Sequence, residues 1–167
     1  MLPLATTFYD IVLFGHILAV VIALGPTFAY PAFVFAARAH GGRAMPAVAE
    51  GIRIWDQRVV APGLLVILAT AIYLVIDSPR WEFSSFFVSW GFLAVIVLGG
   101  IGGAYLAPRT RKLIELAEAD IARTPRDEPV KWSSEFERIS VEISRAGVGV
   151  GAIVLFTVYF MTAKPFL

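Results

Sequence analysis

The sequence predicts an all-α, polytopic membrane protein, a bundle of four transmembrane helices with both termini outside. Two observations predict it. Four apolar runs lack Asp, Glu, Lys and Arg and cover residues 11–37, 59–76, 86–107 and 146–163. Each run is close to or above the roughly 20 helical residues that cross a hydrocarbon core of about 30 Å. Of the 14 Lys and Arg residues, all but Arg80 and Lys164 lie in the segments 38–58 and 108–145, so the positive-inside rule makes these two segments cytoplasmic loops.

The apolar runs are predicted to be helices because a bilayer admits only helices and closed barrels as spanning structures. The runs are too long for strands and do not alternate between polar and apolar residues. A chain of 167 residues with four spans has room for a single transmembrane domain, residues 1–167. The loops mix acidic with basic residues, which argues against a nucleic-acid partner. The absence of cysteine excludes disulfides and thiolate metal sites.

The first two spans carry helix-disturbing and interfacial features. Pro26 and Pro31 each remove a helical hydrogen bond, which predicts a kink in the inner half of the first span. Residues 45–55 mix apolar and charged side chains at helical spacing, which predicts a helix at the cytoplasmic interface. The short connection 77–82 makes the second and third spans an antiparallel hairpin.

The third span is predicted to continue into the cytoplasm, because residues 110–122 keep a helical pattern. Two prolines among the charges of residues 123–129 then end the helix. Ser134 and Glu137 form a capping-box pattern, which predicts the start of the last helix at Ser134.

Small residues recur at helical spacing in the last two spans. Gly99 and Gly103 stand four residues apart, and so do Gly147 and Gly151. Such pairs allow close approach of helix backbones in a membrane. Two interpretations remain open, packing within the bundle and contact between copies of the chain.

His16 is the only side chain within the predicted spans that titrates near neutral pH. It lies about 9 Å inside Asp10 along a helix, on the outer side of the membrane. Ionisable groups within a membrane usually face the bundle interior and mark function. One interpretation is a neutral imidazole, reached from the outer side, that binds haem iron or another metal or transfers a proton. The other is a purely structural hydrogen bond to Tyr73, Tyr159, Thr70 or Thr157.

A second axial ligand cannot be another histidine of the same chain. His40 is the only other histidine, and it lies about 36 Å from His16 along the helix. Met161, Tyr159, a neighbouring subunit or no ligand at all remain as alternatives, and Met161 could equally be a packing residue. Near the cytoplasmic mouth of the second span, Asp56 and Arg58 could form ion pairs with Arg145 or Glu142, and a structural cluster is favoured there over a catalytic one.

Two stretches resemble known families. Residues 10–30, which contain His16, resemble the first helix of a bacterial family of four-span membrane proteins of unknown function. That family is similar to HemJ-type protoporphyrinogen IX oxidases and to copper-resistance D-type membrane domains. Residues 54–65 (Ile-Trp-Asp-Gln-Arg-Val-Val-Ala-Pro-Gly-Leu-Leu) resemble the entry to the second helix of these proteins.

The resemblance implies a four-helix bundle that binds haem b, with His16 as an iron ligand. The chain departs from the HemJ-type family at the start of the third span. That family has a lysine there, and this chain reads Ser-Trp-Gly-Phe at residues 89–92.

The leading hypothesis is therefore a haem-binding or redox-associated protein of the bacterial inner membrane. His16 is its predicted metal ligand, and Tyr73, Tyr159 and Met161 are predicted to complete the cofactor site. The alternative is a non-catalytic membrane subunit or small transporter-like bundle that acts through oligomerisation. Expected partners are the lipid bilayer and either further copies of the chain or a larger membrane complex.

Overall fold

Four long helices dominate the computed structural model, which describes residues Thr7–Pro165. They are α1 (Phe8–Ala39), α2 (Met45–Ile76), α3 (Phe86–Arg123) and α4 (Ser134–Ala163). Each is long and apolar enough to cross a membrane, and no strand occurs within residues 7–165. The predicted all-α four-helix bundle is confirmed. The ends of the predicted domain, residues 1–6 and 166–167, lie outside the described residues.

Neighbours in sequence are neighbours in the bundle. The helix α1 packs mainly on α2, and α4 packs mainly on α3, while α2 and α3 join the two pairs. Both described chain ends lie at the same end of the bundle. The Phe8 ring meets the Tyr73 ring edge-on at 5.4 Å, and Lys164 Nζ lies 4.2 Å from the centre of the Trp81 ring. We call the opposite end, which carries residues 38–58 and 108–145, the basic end.

The outer surface of the bundle is apolar. Every helix presents large hydrophobic side chains that are at least 65% exposed, among them Phe14, Leu65, Ile96 and Val148. Surface of this kind is unfavourable in water and suits contact with lipid chains. The chain is a multi-pass membrane protein.

A π-helical segment lets each of α2 and α3 continue through a proline. Each helix contains a π-helical segment, Asp56–Val60 in α2 and Ile101–Leu106 in α3. Each segment is followed directly by Ala-Pro, with the proline at position 62 or 108. A proline ring clashes with the carbonyl four residues earlier in an α-helix, and a wider turn removes the clash without ending the helix. Residues 45–55 are helical, as predicted, and they continue without a break into the second span.

The first helix accommodates its prolines differently. The α-helical hydrogen bonding of Phe8–Leu24 gives way to a 3₁₀ segment at Gly25–Ala29, and α-helix resumes at Tyr30–Ala39. Pro26 lies in the first turn of the 3₁₀ segment, and Pro31 lies in the first turn of the helix that follows. The disturbance predicted in the inner half of this span therefore takes the form of an overwound turn.

The most tightly packed core lies at the basic end. Phe136 and Met45 are the largest fully buried side chains among the described residues, and both belong to this cluster. The last helix begins at Ser134, as predicted, but Ser134 is not its N-cap. Its N-cap is Ser133, whose hydroxyl accepts from Phe136 N and donates to buried Asp120. The prediction of Ser134 as the cap is wrong because Asp120 fixes Ser133, and Glu137 bonds Arg38 instead.

Candidate functional site along the first two helices

Three contacts join α1 to α2 at regular intervals along one seam. From one contact to the next, the position moves seven residues forward on α1 and seven residues back on α2. Seven residues are two helical turns, or about 10 Å. The contacts pair His16 with Thr70, Ala23 with Gly63, and Tyr30 with Asp56.

The middle contact sets how closely the two helices approach. A Cβ atom built on Gly63 would lie 2.6 Å from the Cβ of Ala23, closer than real Cβ atoms come. Ala23 itself is 1% exposed. Glycine at position 63 therefore allows the two backbones to meet, as small residues do at membrane helix interfaces.

At the outer contact, His16 Nδ1 lies 2.9 Å from Thr70 Oγ1. Thr70 Oγ1 also lies 2.7 Å from the Val66 carbonyl oxygen, one turn back on α2. A threonine hydroxyl has one proton and commonly donates it to the carbonyl four residues back in a helix. We therefore assign the Thr70 proton to Val66 and the proton between the two side chains to His16 Nδ1.

This assignment fixes the form of the imidazole. With Nδ1 protonated, a neutral imidazole carries its lone pair on Nε2. Histidines that bind metals typically have this arrangement, since a hydrogen bond from one ring nitrogen orients the other toward the metal. The half-buried His16 ring is thus held in a form that can bind a metal ion through Nε2.

The other predicted site residues have partners other than His16 in the described chain. Tyr73 packs on Phe8, and the half-exposed Tyr159 packs on Phe160. Met161 lies against Gly91 of α3, where a Cβ would clash with the Met161 Cε atom.

The remaining predicted hydrogen-bond partner of His16 is also engaged elsewhere. Thr157 accepts from Trp90 Nε1 at 3.0 Å. Of the four side chains proposed to hydrogen-bond His16, Thr70 does so in the described chain.

At the inner contact, the Tyr30 hydroxyl donates to Asp56 Oδ1 at 2.8 Å. Both residues are half-buried, and both lie where the helices are irregular. Tyr30 follows the 3₁₀ segment of α1, and Asp56 begins the π-helical segment of α2. An overwound segment therefore faces an underwound one. Irregular turns of this kind are frequent at functional sites.

The ion pairs predicted for this region are wrong. The carboxylate of Asp56 bonds Tyr30 on the adjacent helix, and Glu142 pairs with Arg109 at 3.0 Å. Arg145 forms no ion pair within the described residues, and the same is true of Arg58. The predicted partners of Asp56 lie on α4, whereas its actual partner lies on α1, because the sequence does not give the register between helices.

An apolar groove of 640 Å³ adjoins the inner contact, between the basic-end half of α1 and the start of α2. Pro26, Tyr30 and His40 line it from α1, and Trp55 lines it from α2. Trp55 Nε1 is buried and has no hydrogen-bond partner within the described residues.

The pairing of Tyr30 with Asp56 was not predicted from the sequence. The sequence signal for this pairing is the seven-residue interval, which places Tyr30 two intervals after His16 and Asp56 two intervals before Thr70.

Across residues 7–165, no three His, Asp or Glu side chains come close enough to hold one metal ion.

The chain matches no protein-family model, and no curated protein or solved structure matches it. The family resemblance of residues 10–30 and 54–65 therefore stays a prediction.

Proposed function

We propose that the chain is a haem-binding or redox-associated protein of the bacterial inner membrane, in which His16 Nε2 is an axial ligand of a b-type haem. The observation that supports this function is the hydrogen bond from His16 Nδ1 to Thr70 Oγ1. It leaves the Nε2 lone pair free in a neutral ring, which is the form that haem iron binds.

Of the predicted site residues, one is placed as a haem ligand requires. His16 provides an oriented imidazole, whereas Met161 is packed against Gly91 and Tyr159 is turned toward Phe160. Haem supplies one-electron redox chemistry when it is bound. The contribution of the chain is to hold the imidazole in place and to surround it with apolar side chains.

An absorption spectrum of the detergent-purified protein tests this function. We expect a Soret band after expression with added haem, its loss in His16→Ala, and its retention in His40→Ala. The second substitution is a matched control, because His40 lies at the basic end and its Nδ1 bonds the Ala36 carbonyl. Absence of the band, or a band unchanged in His16→Ala, would contradict the proposal.

A second candidate function is that of a membrane subunit acting through oligomerisation. One member of each predicted glycine pair faces a neighbouring side chain within the chain, since a Cβ on Gly99 would lie 4.0 Å from Leu64 and a Cβ on Gly151 would lie 3.6 Å from Phe28. The other members, Gly103 and Gly147, are exposed, and a Cβ on either would meet no atom within 4 Å. Open glycines on a membrane helix suit close contact with another helix.

Gly103→Leu tests the second candidate by light scattering in mild detergent. We expect the parent to form oligomers and Gly103→Leu to dissociate them without loss of membrane insertion. Gly15→Leu is the matched control, because Gly15 also lies in a membrane helix with open space around its Cβ position. A monomeric parent, or equal assembly of both variants and the parent, would exclude this face as an interface.

A further inference from the structure

A second groove lies between α3 and α4, where the two helices leave the membrane at the basic end. It has a volume of 580 Å³ and is lined by Gly100, Ile101, Tyr105, Glu142, Arg145 and Ala146. Gly100 and Ala146 leave the membrane side of the groove shallow and apolar, since a Cβ on Gly100 would meet no atom within 4 Å. Arg145 stands directly before the apolar run 146–163, at the membrane boundary.

The charged side of the groove has an excess of positive charge. Glu142 is its one carboxylate, and it lies 3.0 Å from Arg109 Nε and 3.9 Å from Arg138 Nη1. The guanidinium of Arg109 also lies over the Tyr105 ring, 3.5 Å from its centre. Arg145 is exposed and makes no hydrogen bond or ion pair within the described residues. Two guanidinium groups, those of Arg109 and Arg138, thus share the one carboxylate, and the third, that of Arg145, has no acidic partner within the described residues.

An occupant of this groove must therefore combine an anionic group with an apolar chain. Guanidinium groups bind phosphate strongly, because they donate two parallel hydrogen bonds to it. Basic pockets between membrane helices, at the level of the headgroups, suit anionic phospholipids. A second copy of the chain related by a two-fold axis would bring two sets of uncompensated arginines together, which disfavours that occupant.

We propose that this groove binds an anionic phospholipid from the leaflet at the basic end. The phosphate lies on Arg145, and an acyl chain runs over Gly100 and Ala146 toward the membrane centre. The Arg109–Glu142 pair positions the rim of the site, and the Tyr105 ring supports Arg109. The site does not involve His16 and is independent of haem binding.

Native mass spectrometry of the full chain in detergent tests the proposal, with dioleoyl phosphatidylglycerol and dioleoyl phosphatidylcholine as probes at low ionic strength. We expect the parent to bind phosphatidylglycerol more tightly. Arg145→Gln should weaken that binding by about fivefold, the effect of one basic residue near an anionic lipid. Arg111→Gln removes the same charge from an exposed position outside the groove and should leave the affinity unchanged.

A second variant tests the apolar part of the site independently of Arg145. Gly100→Leu fills the floor of the groove and should weaken binding of both lipids while leaving the oligomeric state unchanged. Equal loss in Arg145→Gln and Arg111→Gln would mean a diffuse surface charge effect and would overturn the proposal. Displacement of the lipid by inorganic phosphate would identify a simple anion site, and dissociation of an oligomer by Arg145→Gln would identify a second copy; either would overturn it.

Discussion

The two polar contacts of the α1–α2 seam lie at equal intervals from Ala23 and Gly63, yet they differ in their surroundings. His16 and Thr70 face each other from regular α-helical turns, where the hydroxyl of Thr70 is itself bonded to the backbone. The inner contact pairs Tyr30, the residue that follows a 3₁₀ segment, with Asp56, the first residue of a π-helical segment.

The difference shows how one seam can carry two kinds of site. The regular outer contact holds the orientation and the proton of an imidazole, as a ligand requires. The inner contact holds a carboxylate at a place where both helices depart from α geometry and where an apolar groove opens. Both contacts depend on the close approach at Gly63. Substitutions at Gly63 and at each contact therefore measure how much each one contributes to the stability of the protein.

The largest effect is expected from Gly63→Ala. The added methyl group would lie 2.6 Å from the Ala23 Cβ, which pushes the helices apart and disturbs both polar contacts. We expect a loss of about 3 kcal/mol in the free energy of unfolding, measured by SDS titration in mixed micelles.

Gly51→Ala is the matched control on the same helix, where a Cβ would meet no atom within 4 Å. It should be neutral or stabilising by up to about 1 kcal/mol, because alanine favours helix more than glycine does. Ala23→Gly should restore stability when it is combined with Gly63→Ala. Equal behaviour of the two glycine substitutions would contradict the close approach at Gly63.

A smaller effect is expected from Tyr30→Phe, which removes the donor to Asp56. The half-buried carboxylate is left without its partner, and we expect a loss of about 2 kcal/mol in the same titration. Tyr9→Phe removes a hydroxyl that has no hydrogen bond within the described residues and should have no effect. If the two substitutions cost the same, the inner contact does not stabilise the seam.

The register between α1 and α2 could not be predicted from the sequence. The four spans follow directly from the apolar runs and the positions of the charges. The continuation of α3 past Pro108 follows from the helical pattern of residues 110–122. The joining of residues 45–55 to the second span does not, because it depends on the π-helical turn that accommodates Pro62. Four hydrogen-bond partners were compatible with His16 by composition and depth. Only the contact of Ala23 with Gly63 selects Thr70 among them.

The smallest stability effect is expected from Thr70→Val. Removal of the acceptor from His16 should cost about 0.6 kcal/mol, the average for a side-chain hydrogen bond between membrane helices. Thr162→Val is the matched control, because the Thr162 hydroxyl bonds only backbone carbonyls of its own helix. If Thr70→Val lowers the free energy of unfolding no more than its control does, the outer contact does not stabilise the protein.

The protonation of the two imidazole nitrogens of His16 is the most direct test of the account. A His40→Ala background leaves His16 as the only histidine, so that nitrogen-15 NMR of the full chain in nanodiscs reports on it alone. We expect a neutral ring at pH 7 with the proton on Nδ1 and an unprotonated Nε2, and loss of this preference in Thr70→Val. A ring protonated on Nε2 alone, or an imidazolium that persists above pH 7, would contradict the assignment of His16 as a metal ligand.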